Sequence, residues 1–380
     1  MKIVSVVGAR PNFIKVAPVC RALKAYPDVK HILVHTGQHY DVRMSEQFFK
    51  ELDIPNPDIN LEIGSGSHAE QVGRTMIAFE KVLREEKPDW VVVLGDVNAT
   101  CACSITAKKE HVKCAHIEAG LRSRDMDMPE EINRLVTDRL SDLLLTPDRL
   151  SNANLKAEGV EDAKIKFVGN IMIDTLERER EKAAALDLNE IVRQNLIDEL
   201  IGRDVQSLVE RGYVAMTMHR PSNVDQRETL EPAMRFFLDE ITKEYPIVWA
   251  IHPRAQKMLK EFGLWDSVVA NPNMILVKPL GYHAMLRLNM GARLFMTDSG
   301  GLQEECCVLG TPCLTMRWNT ERPITLMENG GASILVGNAV EKIRDAYRAQ
   351  IDAPRHAMRP ELWDGHTAER IAKELVSYKL

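Results

Sequence analysis

Short, continuously apolar runs alternate with amphipathic helical segments from one end of this chain to the other. The runs Lys2–Val7, His31–His35, Trp90–Leu94, Lys113–Ile117, Leu143–Thr146 and Ile165–Val168 read as strands buried on both faces. Between them Asn12–Tyr26, His68–Glu86, Ala99–Glu110 and Glu130–Leu140 carry helical periodicity, the second with Val72, Met76, Phe79 and Leu83 on one face. Strand, helix and strand in repetition make a mostly parallel sheet covered on two sides, because parallel neighbours need a crossover connection. After Gly169-Asn170 the chain becomes charged and helical from Asp174 to about Ile201, the expected linker. Strands resume at Tyr213–Met218, Ile247–Ile251, Met274–Val277, Arg293–Thr297, Cys313–Met316 and Ser333–Val336. At 380 residues the chain exceeds one ordinary core. The expected class is α/β, with two Rossmann-like doubly wound domains facing across a cleft. The expected domains are residues 1–170 and 171–365, followed by a C-terminal helix over 366–380 that either stays with the second domain or crosses back to the first. Ligands are expected at the carboxyl ends of the strands, in that cleft.

A net charge of -6 offers no broad basic surface, so neither nucleic acid nor an anionic membrane is an expected partner. The apolar run Ile3–Gly8 is cut off by Arg10 and is too short for a signal core or a bilayer span, so a cytoplasmic protein is expected. Seven cysteines lie within the expected helices and strands and none forms a C-x-x-C pair, which points to buried reduced thiols. Gly64-Ser-Gly-Ser67 lacks the third glycine and the preceding parallel strand of a dinucleotide fingerprint, so no nicotinamide cofactor is expected. There is no H-E-x-x-H motif, Walker loop or nucleophile elbow.

The richest local signal is Met296-Thr-Asp-Ser-Gly-Gly-Leu-Gln-Glu-Glu305. A strand runs into Ser299, Gly300 and Gly301 and at once into a helix, so backbone N–H groups can approach an anion at a helix start. Glu305, about one turn on, is placed to accept from ribose hydroxyls. An ordinary strand–helix connection with two glycines remains the alternative. Other polar groups also fall at strand ends: Arg10 with Lys15 one turn later, Asp96, Glu118, His219 with Arg220, and His252 with Arg254. Asp96 and Glu118 are either acid/base groups or structural caps and ion pairs. His219 and His252 are either ligand-binding or satisfied loop histidines. Arg10, a cation beside a helix start, is electrostatically poor unless an anion lies between. Glu130 and Glu131 follow Pro129 at another helix start, where the macrodipole alone accounts for them, and Arg134 stands four residues after Glu130. His116 and Asp125-Met-Asp-Met128 read as packing or loop residues.

Taken in order, Gly8-Ala-Arg-Pro-Asn-Phe-Ile-Lys15, Thr36-Gly-Gln-His39, Leu94-Gly-Asp96, His116-Ile-Glu-Ala-Gly-Leu-Arg122, Pro129-Glu-Glu-Ile-Asn-Arg134, His219-Arg220, Thr297-Asp-Ser-Gly-Gly-Leu-Gln-Glu-Glu305 and Thr320-Glu-Arg-Pro323 span most of the chain. This ordered set resembles the non-hydrolysing UDP-N-acetylglucosamine 2-epimerases, which have the two-lobed GT-B type of fold. The resemblance implies interconversion of UDP-N-acetylglucosamine and UDP-N-acetylmannosamine through UDP elimination to a 2-acetamidoglucal and re-addition. It implies a homodimer with a UDP-sugar substrate and no metal or organic cofactor. By the same resemblance Asp96, Glu118 and Glu130 match the acid/base or charge-stabilising carboxylates, and His219 matches a histidine near the diphosphate. Ser299, Gly300, Gly301 and Glu305 match the UDP site, and Arg10, Lys15, Arg134, Arg220 and Arg322 match further binding positions.

Some segments depart from the family pattern. Thr36-Gly-Gln-His-Tyr-Asp-Val-Arg-Met44 lacks the Gln-His-Arg-x-Met-Leu-Asp-Gln type of segment of substrate-activated members, so allosteric activation is not expected. His219-Arg-Pro-Ser-Asn223 replaces His-Arg-Arg-Glu-Asn, and Trp318 stands where a small or acidic residue is usual. These changes leave sugar specificity open, with UDP-2,3-diacetamido-glucuronic acid as the alternative substrate and His252 and Arg254 as groups able to meet its carboxylate. A UDP-sugar glycosyltransferase is the rival from another class.

Overall fold

A computed structural model describes residues 1–37, 49–205 and 210–378, without the side chain of Arg10. The part of the family-like segment from Gln38 to Met44 therefore lies outside the described residues, as does the Arg10 guanidinium.

Two parallel sheets organise the chain. The first contains β1 (Lys2–Val7), β2 (Lys30–His35), β3 (Ile59–Asn60), β4 (Trp90–Leu94), β5 (Lys113–Ile117), β6 (Leu143–Thr146) and β7 (Ile165–Phe167) in the order β3-β2-β1-β4-β5-β6-β7. The second contains β8 (Val214–Thr217), β9 (Ile247–Ala250), β10 (Met274–Val277), β11 (Leu294–Thr297), β12 (Cys313–Thr315) and β13 (Ser333–Leu335) in the order β10-β9-β8-β11-β12-β13. Apart from β3, these are the strands that the apolar runs foretell. A two-residue edge strand carries no periodicity of its own, and β3 exists because Ile59 and Asn60 pair with Val34 and His35.

In each sheet the chain starts at the centre, winds outward, and returns to wind the other way. The order reverses between β1 and β4 in the first sheet and between β8 and β11 in the second. Crossovers leaving a reversal point go to opposite sides, so they part there and open a crevice at the carboxyl ends of the central strands. Those ends carry Gly8 to Arg10, Gly95-Asp96, Met218 to Arg220, and Asp298-Ser299.

The compact units are Met1–Arg178 with Arg359–Leu380, and Glu179–Met358. The first division falls inside the helix Ile171–Ala184, not at the change of composition after Asn170. The charged stretch that follows is not a free linker. Its second helix, Leu188–Asn195, buries Leu188, Ile191 and Val192 in the core of the second unit.

The C-terminal helix, Thr367–Ser377, belongs to the first unit and packs on the helix Arg10–Leu23. Asp174 supplies its cap, accepting from Thr367 N (3.0 Å) and Ala368 N (2.7 Å), two of the donors that a helix start leaves without partners. Just before it, the Trp363 indole donates to Pro147 O at 3.0 Å and is buried. All seven cysteines are buried and unpaired, and burial pushes the Cys114 thiol up to about 12. Among the described residues, no helix is long and apolar enough to cross a membrane.

Removing the cap leaves two buried N–H groups without an acceptor. Asp174→Ala is expected to cost about 1–2 kcal/mol and to lower Tm by about 2–6 °C in thermal denaturation. Asp174→Asn, which keeps one acceptor oxygen, should lose less.

Candidate active site

At the reversal point of the first sheet, Asn12 ties the two central strand ends together. Its Oδ1 accepts from Gly8 N and Ala9 N, both at 3.1 Å, and its Nδ2 donates to Leu94 O at 2.9 Å. One turn into the same helix, the buried Lys15 ammonium pairs with Glu118, which follows β5 and is itself buried. Glu118 holds φ at 70°, a left-handed backbone that costs a side-chain-bearing residue on the order of 1–2 kcal/mol. Gly95, after β4, holds φ at 65°, and a Cβ there would lie 2.9 Å from Lys15 Nζ and 3.6 Å from Glu118 Oε2. Glycine is required because the ion pair occupies that space.

Asp96 comes next, half-buried, and its carboxylate pairs with Arg134 from the helix Pro129–Leu140. Arg134 is buried and also meets Glu131 at 2.7 Å. Glu131 further accepts from Ser123 N at 3.0 Å and Arg124 N at 2.9 Å. Burial raises the Glu131 carboxyl, but the Ser123 N–H and the Arg134 charge outweigh it and hold it below its ordinary value. The two glutamates at this helix start therefore differ. Glu131 is turned inward as an anchor, and Glu130 stays half-buried in the first turn. Asn133 adds a further tie, its Nδ2 donating to Asp96 O at 2.9 Å.

The second sheet's reversal point is built on Asp298, fully buried after β11. Its Oδ2 accepts from His219 N and Arg220 N, both at 2.8 Å, and from Asn223 Nδ2 at 3.1 Å. His219 Nδ1 lies 2.7 Å from Asp298 Oδ1. Burial pushes the Asp298 carboxyl up, yet His219 and the backbone donors together bring it below the usual range. This fixes the ring and leaves Nε2 as the nitrogen available to an anion. The His252 ring lies 5.6 Å from that of His219, centroid to centroid.

Ser299 starts the helix Gly300–Leu309 with an extended backbone and no side-chain cap, so the donors of Gly300, Gly301 and Leu302 face outward at a helix start. A Cβ on Gly300 would lie 2.6 Å from Arg322 Nη1 and 2.7 Å from Glu321 Oε1. Arg322 is buried, engaged by Glu321 and by Glu304 at 2.8 Å, and Arg317 meets Glu321 at 2.6 Å. Glu305 is buried beside Tyr282, and burial pushes its carboxyl up to about 7.

Within the first unit, Lys15, Asp96, Glu118 and Arg134 thus gather at one strand reversal, with Glu130 at the start of the helix that carries Arg134. Within the second unit, His219, Arg220, Ser299, Gly300, Gly301 and Arg322 gather at the other. Arg254 stands apart from this pattern, since its guanidinium is held in two parallel bonds by Asp225, at 2.8 and 2.5 Å. Trp318 is largely exposed, its indole donating to Asn338 Oδ1 at 3.1 Å and its ring lying against Gly337. Asn12, Glu131, His116 and Asp298 were not singled out by sequence reasoning as parts of a site. All four sit inside the quoted motifs, but the partners that make them anchors lie on other segments of the chain, where the sequence does not mark them.

Known proteins share this architecture. Residues 21–376 match the family described as UDP-N-acetylglucosamine 2-epimerase. A UDP-N-acetylglucosamine 2-epimerase of Methanocaldococcus jannaschii is 43% identical over 377 residues, with 99% of each chain covered. A UDP-2,3-diacetamido-2,3-dideoxy-D-glucuronate 2-epimerase of Pseudomonas aeruginosa is 38% identical over 377 residues, again with 99% of each chain covered. The crystal structure of Methanocaldococcus jannaschii UDP-GlcNAc 2-epimerase in complex with UDP-GlcNAc and UDP is similar over 100% of both chains, with a TM-score of 0.89 at 40% identity.

Two glycine substitutions separate crowding from backbone freedom. Gly95→Ala should destabilise the protein by about 1–3 kcal/mol, since it adds a clash to a left-handed φ. Gly73→Ala, inside the helix His68–Glu86 with nothing within 4 Å of the new Cβ, should stabilise it by about 0.5–1 kcal/mol. Urea denaturation of the two variants measures both signs.

Proposed function

Because the chain belongs to the UDP-N-acetylglucosamine 2-epimerase family, we propose that it inverts C2 of UDP-N-acetylglucosamine to give UDP-N-acetylmannosamine. The reaction would run by loss of UDP to a 2-acetamidoglucal and re-addition of UDP. The observation that carries this reading is the set of charge-anchored carboxylates at the first strand reversal: Asp96 on Arg134 and Glu118 on Lys15. Carboxylates held in this way have a fixed position, which acid/base catalysis requires.

The substrate's chemistry calls for these groups. C2 is not next to a carbonyl, so its proton is barely acidic and direct abstraction faces an excessive barrier. Breaking the C1–oxygen bond first leaves an oxocarbenium-like centre that acidifies the neighbouring C–H. UDP departs with new negative charge, and the donors of Gly300 and Gly301 together with His219 suit that charge. One carboxylate then takes the C2 proton and an acid on the opposite face returns it, drawn from Asp96, Glu118 and Glu130. Glu305 would accept from the ribose, and Arg10, Lys15, Arg134 and Arg220 would complete the binding of the charged groups. We assign no metal or organic cofactor to this sequence of steps, and we take the working form to be a cytoplasmic homodimer.

The same inversion on UDP-2,3-diacetamido-glucuronic acid is the second reading, supported by the Pseudomonas aeruginosa relative. A carboxylate at sugar C6 calls for an available guanidinium, and Asp225 already engages Arg254 through Nε and Nη2. That observation favours the uncharged sugar.

In D₂O, the protein with UDP-N-acetylglucosamine alone should place deuterium at C2 and accumulate UDP-N-acetylmannosamine, followed by NMR. No incorporation without an added acceptor would instead support a glycosyltransferase. Asp96→Asn should lower exchange on the order of 10²-fold or more while UDP affinity, measured by calorimetry, changes only a few fold. Full activity in that variant would make Asp96 structural.

A further inference from the structure

His116 is fully buried on β5, and each of its ring nitrogens faces an acceptor. Nδ1 lies 2.6 Å from Asp138 Oδ1, and Nε2 lies 2.7 Å from the carbonyl oxygen of Gly95. Turning the ring over would set two carbons against those oxygens and lose both bonds, so the orientation is determined by its partners. A carbonyl cannot donate, so Nε2 must carry a proton.

The proton on the other side has two possible homes, Nδ1 or Asp138. Asp138 Oδ2 also accepts from Gly120 N at 3.0 Å and from Arg122 Nη1 at 2.7 Å, and Arg122 is held on its far side by Glu158 at 2.6 Å. A carboxyl that accepts from a backbone N–H and a guanidinium, apart from the ring, is ionised. The remaining proton therefore belongs to Nδ1. Two cations, His116 and Arg122, then alternate with two anions, Asp138 and Glu158, and the burial of each charge is offset by its neighbour.

We infer that His116 is a buried imidazolium that serves as a positioning residue, clamping the Gly95 carbonyl and thereby aiming Asp96. Gly95 needs such a clamp. It sits at positive φ and lacks the Cβ that restricts other residues, so the setting of the Gly95–Asp96 peptide depends on contacts such as this one. His116 holds the carbonyl before Asp96, Asn133 holds the carbonyl of Asp96, and Arg134 holds its carboxylate. Three contacts on two successive residues leave the acid little freedom.

This inference rests on the proposed role of Asp96 for its catalytic consequence, but the charge state of the ring can be read without turnover. In ¹⁵N-histidine NMR at neutral pH, both ring nitrogens of His116 should be protonated, with slowly exchanging N–H signals assigned by their contacts to Asp138 and Gly95. An unprotonated nitrogen in that ring overturns the inference whatever the activity. His116→Gln, able to satisfy one partner but not both, should lower kcat on the order of 10- to 100-fold while KM and UDP affinity change only a few fold. An unchanged kcat in the folded variant also overturns it. If that variant does not fold, the spectrum of the unmodified protein decides alone. Absence of C2 exchange with every UDP-sugar, alongside a doubly protonated ring, would instead sink the proposed reaction and leave the imidazolium standing.

Discussion

Everything in this structure follows from parallel strands whose order reverses at the centre of each sheet. A parallel strand ends where its crossover begins, so each strand delivers one connecting segment to the same edge. At the reversal the crossovers part, and the segments there have room for polar side chains that a packed connection would exclude. The groups discussed above stand at these edges because β1, β4, β5, β8 and β11 end there.

Burying so many charges would be unfavourable without close pairing. Lys15 meets Glu118, Arg134 meets both Asp96 and Glu131, Arg322 meets Glu304 and Glu321, and His219 meets Asp298. Such pairs do not make a protein exceptionally stable, since their desolvation offsets most of their attraction. They specify position instead. A carboxylate tied to a buried guanidinium or ammonium has one orientation, and both glycines that approach these pairs, Gly95 and Gly300, leave no space for a side chain. Backbone strain is present at this edge too, where Glu118 holds a left-handed backbone beside its ion pair with Lys15.

Legibility in the sequence varied with the range of the interaction. The strand Trp90–Leu94 could be read directly, because five apolar residues buried on both faces leave little else to form. The two-residue β3 could not, because its neighbour in space supplies its only reason to exist. Glu130 and Glu131 were indistinguishable as text, and only the helix's rotation, which turns Glu131 toward Arg134 and the Ser123 backbone, separates them. Arg254 read as a group able to meet a substrate carboxylate, yet Asp225, 29 residues earlier, engages its Nε and Nη2. His116 read as packing, and two acceptors from different elements make it a charged clamp.

By itself the sequence determined the alternation of strand and helix, the two doubly wound sheets and which residues stand at strand ends, because these depend on periodicity and on contacts close along the chain. The tertiary structure alone decided which charge faces which, that the last helix docks on the first unit under the Asp174 cap, and that Glu131 and Asp298 are anchors. The Lys15–Glu118 pair shows why: its partners are 103 residues apart, and nothing local to either selects the other. Only the register of β1, β4 and β5, set by hydrogen bonds between strands, brings the two together.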